Sequence, residues 1–231
     1  MAKVNQEGLK HLFILSEGLK INGSQLVEGL RESSTNAHII TGGLAADGDL
    51  FEKTLLIDQN GQAQENIVIA LAFYGAIEVE SGCYGGWDSF GLERKATRSL
   101  DNELFEVDGK PALDLYRSFL GEKASELPAS GLLFPVNIGN EANAEPIVRT
   151  ILGINEERKS LIFAGDIPQG SYLRLMKANV NRLIGGAEKA PQKLRNAQSI
   201  LVRCVGRKLV LKQLVEDEVE AVAELMAPKR F

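Results

Sequence analysis

Residues 54–74 read TLLIDQNGQAQENIVIALAFY, and this stretch decides the fold class. Two apolar segments, Thr54–Asp58 and Asn66–Tyr74, flank a polar turn that contains Asn60-Gly61. An Asn-Gly pair supplies the positive φ angles of a tight hairpin turn, so the stretch predicts two antiparallel strands. The run from Ile67 to Tyr74 is the longest apolar run in the chain. It falls far short of the roughly 20 residues needed to span a bilayer, and it suits a buried strand.

Toward the N-terminus, His11–Ser16 predicts another buried strand. Asn22-Gly-Ser24 supplies a helix start, and Leu26, Val27 and Leu30 recur at helical spacing, which predicts a helix from Ser24 to about Ser33. A strand at His38–Thr41 runs into Gly42-Gly43-Leu-Ala-Ala-Asp47. Toward the C-terminus, strands are predicted at Ala76–Gly82, Ala96–Leu100 and Glu103–Val107. Pro111 opens a helix to about Leu120, with Ala112, Leu115, Tyr116 and Phe119 on its buried face. The small, polar stretch Gly121–Ser130 divides the chain into parts 1–120 and 121–231. Strands follow at Leu132–Pro135, Pro146–Ile154, Ser160–Ala164 and Ser171–Met176. A helix over 178–197, weakened at Gly185-Gly186, precedes a buried strand at Ser199–Cys204 and an amphipathic helix at Leu211–Met226. Strands in antiparallel groups with single helices between them make an α+β fold: extended antiparallel or mixed sheets flanked by helices, as a layered sandwich.

Bulk properties narrow the function. The chain has 231 residues, 44% hydrophobic and 25% charged, as expected of a folded globular protein. A net charge of −5 argues against a general nucleic-acid binder, which needs a positive face. Two cysteines far apart, Cys83 and Cys204, offer neither a disulfide framework nor zinc-ligand spacing. The polar start, Met1–Lys10, does not read as a signal peptide. The expectation is a cytoplasmic protein with no membrane partner.

Catalytic chemistry is sparse. The only histidines are His11 and His38, each at a strand edge, and no Gly-x-Ser-x-Gly nucleophile elbow occurs. Three clusters remain. Gly42-Gly43 with Asp47 form either a tight turn or a loop that aims backbone N–H groups at an anion. Gly82-Cys83-Tyr84-Gly85-Gly86-Trp87 carries the single tryptophan beside glycines, in a long loop or against a ligand. Arg203-Cys204-Val205-Gly206-Arg207 places arginines where a partner is required, either a carboxylate such as Asp47, Asp166 or Glu218, or a ligand carboxylate.

Several segments, in order along nearly the whole chain, resemble the FIST family. Ile40–Asp47 is similar to its Gly-Gly-x-Ala-x-Asp signature, and Glu106–Tyr116 to the stretch where its N-terminal and C-terminal parts meet. Ala164-Gly-Asp-Ile-Pro-Gln-Gly-Ser171 resembles its Gly-Asp-x-Pro-x-Gly turn, and Ser199–Arg207 its strand ending in Cys-x-x-Arg. The family's opening segment and its C-terminal stretch rich in Gly, Tyr, His and Asn find no counterpart here. The resemblance implies a non-catalytic intracellular sensory domain of bacterial type, alone or beside a histidine kinase or another signalling output protein. It implies a small ligand such as an amino acid or other carboxylate. Gly42, Gly43, Asp47, Tyr84, Trp87, Arg203 and Arg207 are the candidate site, with Arg207 for the carboxylate, Asp47 for an amine, and Phe73, Tyr84 or Trp87 closing the pocket. Two alternatives accompany this one: a haem-based nitric-oxide sensor using His11 or His38, and an interaction module whose sheet edge meets a signalling protein or a second copy in a homodimer.

Overall fold

A computed structural model describes residues 4–5, 7–33, 39–139, 147–189 and 198–226. The first layer is a three-stranded sheet. Strand β1 (Leu9–Ser16) leads into helix α1 (Gly23–Glu32), which returns the chain to β2 (Ile39–Leu44) beside β1. A helix between two neighbouring strands makes that pairing parallel. Asn22 caps α1, its Oδ1 accepting from Ser24 N and Gln25 N. A two-residue ribbon, β3 (Leu56–Ile57) with β4 (Ala63–Gln64), precedes β5 (Val68–Tyr74), which pairs antiparallel with the other edge of β1.

The predicted pairing of Thr54–Asp58 with Asn66–Tyr74 is not formed: across the Asn60-Gly61 turn β3 pairs with the two residues of β4 instead. The second predicted arm belongs to β1, where a sheet extends over seven residues instead of two. The partner strand is also less buried than its composition predicts, with Val68, Leu71 and Tyr74 each 42–48% exposed, because β5 is an edge strand. His11, expected at a partly exposed edge, is buried on the central strand, its Nε2 3.0 Å from Thr41 Oγ1 and its ring against Phe73. Residues 77–86, expected to hold a strand, have no regular structure.

The second sheet is antiparallel throughout. Strand β6 (Trp87–Leu100) and β7 (Glu103–Val107) form a hairpin, and β7 continues to β8 (Lys110–Pro111) and helix α2 (Ala112–Leu120). Two 3-10 turns (Gly121–Glu126 and Ala129–Leu133) occupy the polar stretch expected as a connection, the second taking the place of the strand expected at Leu132–Pro135, and lead to β9 (Val136–Gly139). Then come β10 (Ile147–Arg149), β11 (Ile151–Asn155), β12 (Ser160–Phe163) and β13 (Tyr172–Ala178), giving the order β10-β9-β13-β6-β7-β12-β11. The main core lies between this sheet and α2, built from Leu104, Leu113, Tyr116, Ile151, Phe163 and their neighbours. Phe119, predicted to point inward, is 44% exposed with the Arg94 guanidinium over its ring.

Helices α3 (Val180–Lys189), α4 (Val205–Leu211) and α5 (Val215–Met226) complete the fold, and α3 packs on α5. The predicted continuation of α3 beyond residue 189 lies outside the described residues. The expected buried strand at Ser199–Cys204 is instead irregular and exposed, with Ile200, Leu201 and Val202 49–64% accessible. Leu214, expected inward, is exposed in a short 3-10 turn before α5. The fold is α+β, with antiparallel and mixed sheets flanked by helices.

Among the described residues, a polar seam joins the layer of the first sheet to that of the second. Asn22 Nδ2 donates to Asp166 Oδ1 at 2.5 Å, Gly23 N donates to the Ala164 carbonyl at 3.0 Å, and Arg149 bonds both Ser24 Oγ and the Asp166 carbonyl. Asp166, one possible partner for Arg203, is thus engaged at this seam. No helix among the described residues is long and apolar enough to cross a membrane.

Candidate ligand site

The candidate residues fall into two places. Gly42 and Gly43 lie within β2, opposite Ile14 and Leu15, rather than in a turn. A side chain at Gly43 would sit 2.9 Å from Val202 Cγ1, so a glycine there lets the segment 198–204 lie against β2. Asp47 closes the following loop: its Oδ2 accepts from Glu52 N at 2.8 Å and Lys53 N at 2.9 Å. Burial pushes its carboxyl up, but these bonds from Lys53 and Glu52, with further backbone donors, outweigh burial and hold it below the usual range. Asp47 fixes its own loop by this bonding.

The other place is built where α3, α4, α5 and the loop before β6 converge. Helix α4 carries Arg207, whose side chain is nearly buried. Its Nη1 donates to the Tyr84 carbonyl at 2.8 Å, its Nη2 to the Leu183 carbonyl at 2.6 Å, and it pairs with Glu218 of α5. Its Nε is buried and makes no hydrogen bond among the described residues. Arg203, from the exposed segment, reaches the same carboxylate, with Nη2 3.1 Å and Nε 3.3 Å from Glu218 Oε2. The sequence left Arg203 and Arg207 between a protein carboxylate and a ligand. Glu218 is the protein carboxylate, and it serves both.

The loop containing Tyr84 and Trp87 meets α3 through two glycines. Gly86 has φ +73°, and a Cβ there would lie 2.6 Å from the Arg182 carbonyl. A Cβ on Gly186 would collide with the Tyr84 ring. No other residue type permits this approach without a shift. Trp87 opens β6 opposite Ala178 and is half-buried.

Two residues that the sequence reading passed over border Tyr84. Lys189 Nζ lies 5.1 Å from its ring centroid, and Arg182 pairs with Asp88. Hydrogen bonds from Arg182 first, then Lys189, hold the Tyr84 phenol below its ordinary range. Arg182 and Lys189 are seven residues apart, two turns along one face of α3, which is the only signal in the sequence that could have linked them. The residues joined by these contacts include four cations, Arg182, Lys189, Arg203 and Arg207, against two carboxylates, Asp88 and Glu218. Within this contact group cations outnumber carboxylates on a chain of net charge −5, while the first turn of α5 also carries Glu216 and Asp217 beside Glu218.

The His11 ring is buried in the sheet against Phe73, with its Nε2 3.0 Å from Thr41 Oγ1. His38 lies outside the described residues.

Comparison with known proteins completes the picture. A FIST N domain model matches residues 2–110, and a FIST C domain model matches residues 112–230. The chain is 25% identical over 196 residues to the uncharacterized protein MJ1623 of Methanocaldococcus jannaschii, an archaeal protein, covering 77% of this chain and 37% of that one. The chain thus spans little more than a third of that relative's length. No solved structure matches it. The two domain matches run along nearly the whole chain, which belongs to the FIST family of sensory domains.

Proposed function

We propose that the chain is a non-catalytic input domain that binds a small carboxylate, such as an amino acid or organic acid, and passes the signal to an intracellular output protein such as a histidine kinase. The observation that carries this reading is the cation-rich contact group around Tyr84. Four cations face two carboxylates there, although the chain as a whole is acidic. Arg207 and Glu218 form its fixed floor. Arg182 and Lys189 are exposed at its rim, and in this reading they exchange their contacts with Asp88 and Tyr84 for an incoming carboxylate. Tyr84 and Trp87 supply aromatic walls, and Arg203 sits at the near edge. The loop of Asp47 serves as scaffold in this reading, since its carboxylate is already bonded to backbone donors.

The test is a thermal-melt screen of the chain with amino acids, small organic acids and amines. A ligand at about 100 times its dissociation constant adds about 2.7 kcal/mol, a shift of a few degrees. Carboxylates are expected to raise the melting temperature, and Arg182→Ala with Lys189→Ala to abolish that rise without changing the unliganded melt. Stabilisation by amines alone, or a carboxylate shift untouched by the double substitution, refutes the reading.

A further inference from the structure

The strand β5 is seven consecutive apolar residues, Val68-Ile-Ala-Leu-Ala-Phe-Tyr74, at the edge of the three-stranded sheet. Among the described residues its outer edge pairs with no strand. Val68, Leu71 and Tyr74 are 42–48% exposed. Edge strands ordinarily carry a lysine, a proline or a bulge that blocks pairing with another chain. This one carries none within its seven residues, and its pairing with β1 is regular from Phe73 to Val68.

The order of side chains identifies the occupant. Read outward from Leu71, the strand has an alanine on each side, then β-branched Ile69 and Val68 toward its start and aromatic Phe73 and Tyr74 toward its end. Antiparallel pairing with an identical strand, centred on Leu71, places leucine opposite leucine and Ala70 opposite Ala72. It also places Ile69 opposite Phe73 and Val68 opposite Tyr74 of the other copy. Each outer pair is a β-branched residue facing an aromatic one, among the favourable cross-strand combinations. No charge lies on the strand, so self-pairing sets no like charges opposite each other. The nearest acid before it, Glu65, is already paired with Lys20 and Lys53 at 3.5 and 2.9 Å. An antiparallel contact about one residue is also what a two-fold axis generates, with the same patch used on both copies.

We infer that β5 is a homodimer interface, joining two three-stranded sheets edge to edge into one continuous six-stranded sheet about a two-fold axis at Leu71. The proposal is independent of the ligand reading, because β5 contributes nothing to the locus around Tyr84.

Sedimentation equilibrium of the chain across a concentration series tests it, with Leu71→Lys, Ala70→Lys and, as a control far from β5, Leu100→Lys, whose residue is 67% exposed at the end of β6. The wild type and Leu100→Lys are expected to be dimers. Leu71→Lys is expected to be monomeric because it sets two ammonium groups opposite each other, and Ala70→Lys is expected to be monomeric as well because it sets each lysine against Ala72 of the other copy and diagonal to the second lysine. Circular dichroism and melting of each variant establish that the fold survives. A wild type that stays monomeric at its highest soluble concentration overturns the inference. So does a folded lysine variant on β5 that still dimerises, or a dimer lost equally in Leu100→Lys.

Discussion

Glu17, just past β1, and Glu218, in α5, are both buried carboxylates, 2% and 7% exposed, and the protein stabilises them in opposite ways. Glu17 is surrounded by neutral donors. Leu19 N and Lys20 N donate to it at 2.8 and 2.7 Å, and Thr54 Oγ1 donates at 2.6 Å while accepting from Gly18 N. Glu218 is held by the guanidinium groups of Arg203 and Arg207. Dipoles solvate a buried charge locally and leave little field beyond it. Two cations on one carboxylate leave one guanidinium charge unmatched within that contact group, next to Glu216 and Asp217 of the same helical turn. The first arrangement suits a loop that must stay fixed, and the second suits a place where an anion is to be drawn in. The carboxylate at the end of β1 is architecture, and the one in α5 is the base of the proposed site.

The largest effect separating the two is expected from Glu218→Gln. The amide keeps the shape but leaves Arg207, nearly buried, without a counter-charge. Removing one partner of a buried ion pair costs about 3–5 kcal/mol, to be read from urea unfolding. A loss well under 1 kcal/mol would mean that the guanidinium groups reach solvent, and the contrast with Glu17 would fail.

Glu17→Gln is expected to cost less, about 1–3 kcal/mol, because the amide nitrogen would meet donors instead of acceptors but leaves no charge stranded. Its pH dependence sharpens the comparison. Burial pushes the Glu17 carboxyl up, but the bonds from Thr54, Leu19 and Lys20, with one from Ile21, prevail and hold it below the usual carboxylate range. A carboxyl with a lower value in the folded than in the unfolded state stabilises the fold above its unfolded value, and that contribution is lost as pH falls through the folded one. The stability gap between wild type and Glu17→Gln is therefore expected to be fullest near neutrality. It should close as the solution is acidified below about pH 4, the unfolded glutamate range. A gap constant with pH would show that the fold does not favour the ionised Glu17 carboxylate over the protonated form.

The difference between the two regions also explains what the sequence made legible. The α+β class, α1, α2, α5 and most strands were readable, because periodicity and turn chemistry are local: Asn22 before Leu26, Val27 and Leu30, or Pro111 before α2. Gly42, Gly43 and Asp47 were visible as a motif, but their role depends on Val202 and on the amides of residues 52 and 53, which no local pattern reports. Strand β5 was readable as a strand, whereas its partner was not, since the choice between residues 54–58 and β1 is made by sheet length. The segment 199–204 carries the composition of a core strand and lies exposed, so composition misled there. Glu218 was one of three acids named for the arginines. Arg182 and Lys189 were missed because α3 meets Tyr84 only through the close approach at Gly86 and Gly186.

The smallest stability effect, and the one that best divides structure from function, is expected from Arg203→Ala. Arg203 is part-exposed on an irregular segment, while Arg207 remains to neutralise Glu218 after its loss. A solvent-accessible ion pair contributes about 0–1 kcal/mol, so the melt of the unliganded chain should hardly move. Removing Arg203 nonetheless takes one of the four cations from the locus, reducing its positive excess. Carboxylate affinity should therefore fall in this variant although the fold is intact, and calorimetric titration would show it. If affinity is unchanged, Arg203 is only a strut for Glu218, and the excess that matters lies on α3 with Arg182 and Lys189. If the fold is lost, the exposed segment is anchored by this pair more firmly than its accessibility indicates, and the distinction between fixed floor and free rim must be redrawn with Arg203 in the floor.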